Sequence, residues 1–216
     1  MRLNVFIERS LVGVLEDDAK TSRLAFTYAP SWLSSPDRFA LCPALPLLRP
    51  EDETPDSHSA AVRRFFENLL PEGHALDDVA AACKVSKANL VGLLVALGRE
   101  TAGALRIHPA DLHEAPGPGT SEADAHPVRR ALTKDELSRR IRARPHVPFV
   151  VWDGKVRLSI AGYQDKMAVY SEQEQWFLVE GASLASTHIL KPEPVADRLA
   201  GLTSNEFLCM RLARRV

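Results

Sequence analysis

The densest chemistry in the chain lies in Leu158-Ser159-Ile160-Ala161-Gly162-Tyr163-Gln164-Asp165-Lys166, between two runs that alternate like strands. A strand–turn–strand hairpin bent at Gly162 can aim successive backbone N–H groups at an anion. Each such charge-assisted bond is worth about 1.5–3 kcal/mol. Glycine permits both the backbone angles and the close approach that a phosphate requires. The segment is not a Walker loop, because the second glycine and the following Lys-Ser/Thr are missing. An ordinary hairpin turn is the competing reading, and the segment alone does not decide between the two.

A second element is Ser186-Thr187-His188-Ile189-Leu190-Lys191-Pro192, which reads as a buried strand ending in lysine. An ammonium at the end of an apolar strand must find an anion or reach water. In protein kinases a strand lysine grips the nucleotide phosphates and pairs with a helix carboxylate. Glu206, at the start of the following helix, is the available carboxylate. Both residues also have plainer readings. Lys191 can snorkel to the surface, and Thr203-x-x-Glu206 has the spacing of a capping box.

These residues need elements to hold them. Residues 2–7 and 24–28 alternate apolar and polar, with Leu11-Val12-Gly13-Val14-Leu15 between them, the pattern of a small antiparallel sheet. Ala29-Pro30-Ser31-Trp32 turns the chain, and the proline-rich stretch Pro43 to Pro55 reads as irregular. Helices are expected over 59–70, with Val62, Phe65, Phe66, Leu69 and Leu70 on one stripe, over 76–83, and over 87–97 between an N-cap at Ser86 and Gly98. Residues 104–107 read as a returning strand. Residues 109–130, rich in proline and glycine, read as a linker. A short basic helix follows Thr133, which has capping-box spacing to Glu136. Strands are expected at 155–159, 166–170, 175–180 and 187–191, then an apolar helix from about 204. The fold class is therefore α+β. One helix covers at most one face of the last sheet, so that module is expected to meet more chain or a partner.

With 45% hydrophobic and 25% charged residues the 216-residue chain has the composition of a soluble globular protein. A formal net charge of -1 gives no general attraction to nucleic acid or anionic membrane. The basic residues Arg129-Arg130 and Arg139 to Arg144 read as a solvated helix face. The N-terminus lacks the pattern of a signal peptide, and Leu90 to Leu97 is too short to span a bilayer. Cys42, Cys83 and Cys209 are odd in number and far apart, which suits buried thiols in a reducing cytoplasm better than disulfides or zinc.

Taken in order, Ser159-Ile160-Ala161-Gly162-Tyr163-Gln164-Asp165-Lys166, Thr187-His188-Ile189-Leu190-Lys191 and Asn205-Glu206-Phe207-Leu208-Cys209-Met210-Arg211-Leu212-Ala213 resemble the HipA family of toxin kinases. So do Tyr28-Ala29-Pro30-x-Trp32-Leu33, Phe66-x-Asn68-Leu69-Leu70-Pro71-Glu72 and Leu97-Gly98-Arg99-Glu100-x-x-Gly103-Ala104-Leu105. Each motif is modest; their joint order is specific and covers nearly the whole chain.

The resemblance implies an N-terminal subdomain over 1–108, a linker over 109–130, and over 131–216 a kinase-like N-lobe, an antiparallel sheet plus helix truncated before the catalytic C-lobe. It implies that Ala161, Gly162, Tyr163, Gln164, Asp165 and Lys166 cradle the phosphates of ATP, that Lys191 holds them as the strand lysine, and that Glu206 is its partner. Ser159 falls where the family phosphorylates its own loop, silencing the kinase; a phosphate there would repel the nucleotide. Tyr163 departs from the small residue common at that bend. The magnesium-holding and catalytic-loop aspartates would lie beyond Val216, so no catalytic residue or metal ligand is expected within this chain, and alone it is expected to be inactive. The complete kinase would use ATP and Mg2+ and phosphorylate a protein such as glutamyl-tRNA synthetase. Its partner would be a helix-turn-helix antitoxin, with DNA reached only through it, in a cytoplasmic toxin–antitoxin system of bacterial persistence. The alternative is a non-catalytic regulatory module docking on a separate kinase core or on the antitoxin.

Overall fold

The structure is a computed structural model and describes residues 1–98, 101, 105–110, 128–144, 146–153, 155–156, 164–180 and 186–215. Strands β1 (Arg2–Ile7), β2 (Ser10–Asp18), β3 (Arg23–Tyr28) and β4 (Leu105–Pro109) form an antiparallel sheet in the order β3-β2-β1-β4. Its alternation buries Leu3, Val5, Val12, Leu15, Leu24, Phe26 and Ile107 in one core. Helices α1 (Pro30–Leu33), α2 (Pro55–Glu67), α3 (Gly73–Cys83) and α4 (Leu90–Leu97) supply the rest of it, with Phe66 fully enclosed 5.9 Å from the ring of Phe26.

Local chemistry sets the helix ends, and several differ from the sequence reading: α2 ends at Glu67 rather than 70, and α3 begins at Gly73 rather than 76. Helix α2 begins at Pro55 rather than 59, because Thr54 accepts a bond from the Ser57 N–H and proline suits the first helical position. Helix α4 begins at Leu90, capped by Asn89 onto Gly92, and not after Ser86. Gly98 ends it with ordinary right-handed angles. Glycine is needed there for closeness, since a Cβ would lie 2.4 Å from the carbonyl of Leu94 and 2.7 Å from Cβ of Ile107. One buried histidine joins sheet to helix: His58 accepts from the Phe26 N–H at 3.2 Å through Nε2 and meets Glu53 at 3.1 Å through Nδ1.

A second antiparallel sheet has the order β10-β8-β9-β5, from β5 (Val128–Leu132), β8 (Met167–Glu172), β9 (Gln175–Glu180) and β10 (His188–Leu190). Helix α5 (Lys134–Ala143) lays Leu137 and Ile141 against Leu132, Phe149, Trp152, Met167, Val169 and Leu178. A two-stranded hairpin, β6 (Val151–Trp152) with β7 (Lys155–Val156), lies between the cores. Phe149 and Trp152 pack into the second, while Val150, Val151 and Val156 pack onto the first. Residues 128–130, within the stretch read as linker, are in β5 and pair with β9.

Arg140 and Arg144 are not a solvated face. Arg140 donates to the carbonyls of Pro148 (2.7 Å) and Val151 and lies over the Trp152 ring, and Arg144 is buried. Helix α6 (Leu202–Ala213) has no buried residue, and Phe207, Leu208, Met210 and Leu212 are all exposed. Cys209 on it is exposed too, unlike the buried thiol expected there. Among the described residues no helix is long and apolar enough to cross a membrane.

Candidate functional site

Strand β10 lies on the edge of its sheet and pairs antiparallel with β8, with Leu190 opposite Met167. Lys166 and Lys191 are the residues next beyond that terminal pair, and their charges interact. The two residues that the sequence ties to phosphate are therefore neighbours at the end of one strand pair. The strand is not buried as expected: Ile189 is half exposed, because an edge strand has one side open.

Like charges brought together across a sheet are destabilising unless an anion lies near. Lys191 donates to the carboxylate of Glu206 on α6. Burial, and next the charge of Lys191, push the Lys166 ammonium below the ordinary lysine range, while Glu72 and Glu206 act in the opposite direction. Glu72 is the N-cap residue of α3, so the first turn of that helix faces the same cluster.

Glu206 is not part of a capping box. Helix α6 has Gly201 as its N-cap residue, in a left-handed conformation with φ 83° and no side-chain bond of its own. The cap comes from Glu193, whose carboxylate accepts the N–H groups of Leu202 and Thr203 at 3.1 Å each, the N–H of Gly201 and the hydroxyl of Thr203. The Thr203 hydroxyl, and then these backbone donors, hold the Glu193 carboxyl below its usual range. Glu206 is thereby free to turn one helical turn later toward Lys191.

Asp165 sits one residue before Lys166, with both oxygens engaged. Oδ1 lies 3.1 Å from Nε2 of His74 on α3, and Oδ2 accepts from Nη1 of Arg144 at 3.4 Å. Gln164 has a buried amide nitrogen with no hydrogen-bond partner among the described residues. Ser159, Ala161, Gly162 and Tyr163 lie outside the described residues. The structure thus brings together Gln164, Asp165, Lys166, Lys191 and Glu206. It adds Glu72, which ends a family-like motif of the first module, and His74, Arg144 and Glu193, none of which carries a motif signal.

The donor set suits a polyanion. Two ammonium groups lie close enough to interact, Lys191 already paired with Glu206, beside a buried Gln164 amide nitrogen with no hydrogen-bond partner among the described residues. A triphosphate fits these requirements. No cluster of three or more metal-binding side chains occurs among the described residues.

The chain is similar to known proteins over nearly its whole length. The family described as HipA N-terminal domain matches residues 3–108, and that described as HipA-like C-terminal domain matches residues 158–216. The chain is 34% identical over 214 residues to a protein of Shewanella oneidensis named serine/threonine-protein kinase toxin HipA, covering 99% of this chain and 44% of that one. It is 35% identical over 217 residues to the putative kinase Y4mE of Sinorhizobium fredii, covering 99% and 48%. The chain thus spans about half the length of the curated relatives it matches. A solved complex of Shewanella oneidensis HipA, HipB and operator DNA superposes with a TM-score of 0.71 at 34% identity, over 98% of this chain and 44% of that one.

Proposed function

The chain belongs to the HipA family, and from that premise we propose that it is the N-terminal portion of a HipA-like toxin–antitoxin serine/threonine kinase whose Gln164, Lys166 and Lys191 take the phosphates of ATP. The observation that carries this reading is the closeness of Lys166 and Lys191 at the paired ends of β8 and β10, with the Lys191–Glu206 pair beside it. Such an arrangement performs the positioning and charge neutralisation on which phosphoryl transfer depends. Ala161, Gly162 and Tyr163 complete the phosphate cradle in this proposal, and Ser159 is the site of self-phosphorylation. When bound, ATP with Mg2+ supplies the transferable phosphoryl group.

The longer protein is proposed to phosphorylate a protein target such as an aminoacyl-tRNA synthetase. A HipB-like helix-turn-helix antitoxin is the proposed partner, supported by the neighbour solved with HipB and operator DNA. A cytoplasmic location is proposed with that partner. The second reading is a non-catalytic module docking on a separate kinase core. It draws support from α6, whose apolar residues lie uncovered.

Calorimetric titration with ATP and magnesium, paired with a labelled-phosphate assay, tests the proposal. The chain alone is expected to bind ATP without transferring phosphate. Joined to the remainder of a full-length kinase it is expected to transfer phosphate, and Lys191→Ala is expected to abolish that transfer. Failure of the chain to bind ATP, or undiminished turnover in the Lys191→Ala kinase, contradicts it.

A further inference from the structure

Asp165 stands out within the phosphate segment. Its side-chain carboxylate offers only acceptors and repels phosphate oxygens, so any share of Asp165 in the cradle falls to its backbone N–H. The two carboxylate oxygens are instead committed to His74 and Arg144, and the side chain is 15% exposed.

Arg144 is equally committed. Its side chain is 7% exposed, its Nε donates to the carbonyl of Ile141 at 3.0 Å, and its Nη2 donates to the carbonyl of Glu193 at 2.6 Å. One guanidinium therefore ties the residue before Lys166 to the second residue after Lys191. Those are the two backbone segments whose spacing sets the distance between the lysines. Glu193 carries the linkage onward, since its carboxylate caps α6 and so places Glu206 against Lys191.

His74 brings in the N-terminal module. It stands in the first turn of α3, beside Glu72, and reaches a residue 91 positions further along the chain. We infer that the His74–Asp165–Arg144 bridge is a positioning device by which α3 of the N-terminal module holds the phosphate segment in line with the strand lysine. The inference rests on the phosphate reading proposed above. The side chains of Asp165 and His74 act as positioning groups in it, through their bonds to each other and to Arg144. Asp78, on the same helix, also faces His74 and Asp165, with Asp77 beside it.

The His74 side chain is 60% exposed, so its loss should leave the fold intact. The test uses the 216-residue chain with His74→Ala, His74→Gln, Asp165→Asn and the double variant H74A/D165N. Amide hydrogen exchange over residues 164–170 is read without nucleotide, and ATP affinity by calorimetry. His74→Ala should speed exchange in that segment while leaving β1 to β3 unchanged, and weaken ATP binding roughly three- to tenfold. His74→Gln, whose amide nitrogen can occupy the place of Nε2, should restore both. The double variant should be no worse than Asp165→Asn. Unchanged exchange in His74→Ala, failure of glutamine to rescue, or multiplying effects in the double variant would overturn the inference. If the unaltered chain binds no ATP, the phosphate reading falls. The exchange data then decide separately whether the bridge couples the modules.

Discussion

Replacing Lys191 and Glu206 one at a time separates a phosphate site from an ordinary surface ion pair, because the two readings predict opposite signs. Two unit charges about 4 Å apart interact by roughly 1 kcal/mol in water and about 4 kcal/mol at an effective dielectric near 20. The side chain of Lys191 is 34% exposed, which places its attraction for a phosphate between these limits, at about 2 kcal/mol or roughly 30-fold in affinity. Part of that loss is recovered, because removing Lys191 relieves the repulsion that pushes Lys166 down. The net expectation for Lys191→Ala is a roughly tenfold weaker ATP affinity. Glu206→Gln removes an anion that competes with phosphate for both lysines. It should leave affinity within about threefold of wild type, or tighten it, while lowering turnover in a full-length kinase because the lysine is no longer oriented. Calorimetry near physiological ionic strength reads both variants. Equal weakening by the two, or wild-type affinity in Lys191→Ala, would refute the reasoning.

Other outcomes follow from the same geometry. The Lys166 ammonium sits below the ordinary lysine range, mainly through burial, and it must be protonated to hold phosphate. ATP affinity should therefore fall as pH rises through that lowered value, before an exposed lysine would titrate, and Lys166→Met should lose this dependence. Because the folded chain releases this proton more readily than the unfolded chain, the same group should make stability rise with pH across the interval between the two values. His58→Ala orphans the buried Phe26 N–H and should destabilise by about 1–3 kcal/mol in urea melts. Gly98→Ala sets a methyl group against the Leu94 carbonyl and Ile107, and should cost about 1–3 kcal/mol in the same assay.

Much of the frame was legible in the residues. The alternation of 2–7 and 24–28 predicted β1 and β3, and the stripe through Val62, Phe66 and Leu69 predicted α2, because burial on one face imposes its period on the sequence. The pairing of Lys191 with Glu206 was legible as a spacing of strand lysine and helix acid. Signals that several residues share were misread. Thr203 and Glu206 have capping-box spacing, yet the cap comes from Glu193 across a turn. Ser86 and Asn89 are both capping types, and the packing of Leu90 decides for the second. Arg140 and Arg144 looked like solvated charge because their partners are backbone carbonyls, which leave no trace in sequence. Strand β5 was hidden by the prolines before it, and pairing with β9 overrides their local preference. His74 gave no signal, since its partner is set by tertiary packing alone.

The central claim is that one set of phosphates lies between Lys166 and Lys191. Nitrogen-15 labelled lysine side chains, followed by NMR during ATP titration, test it most directly. The account predicts that the Nζ signals of Lys166 and Lys191 shift together with one dissociation constant while the signal of Lys84, elsewhere on the N-terminal module, stays still. Movement of only one of the two, or of neither at saturating ATP, would contradict it.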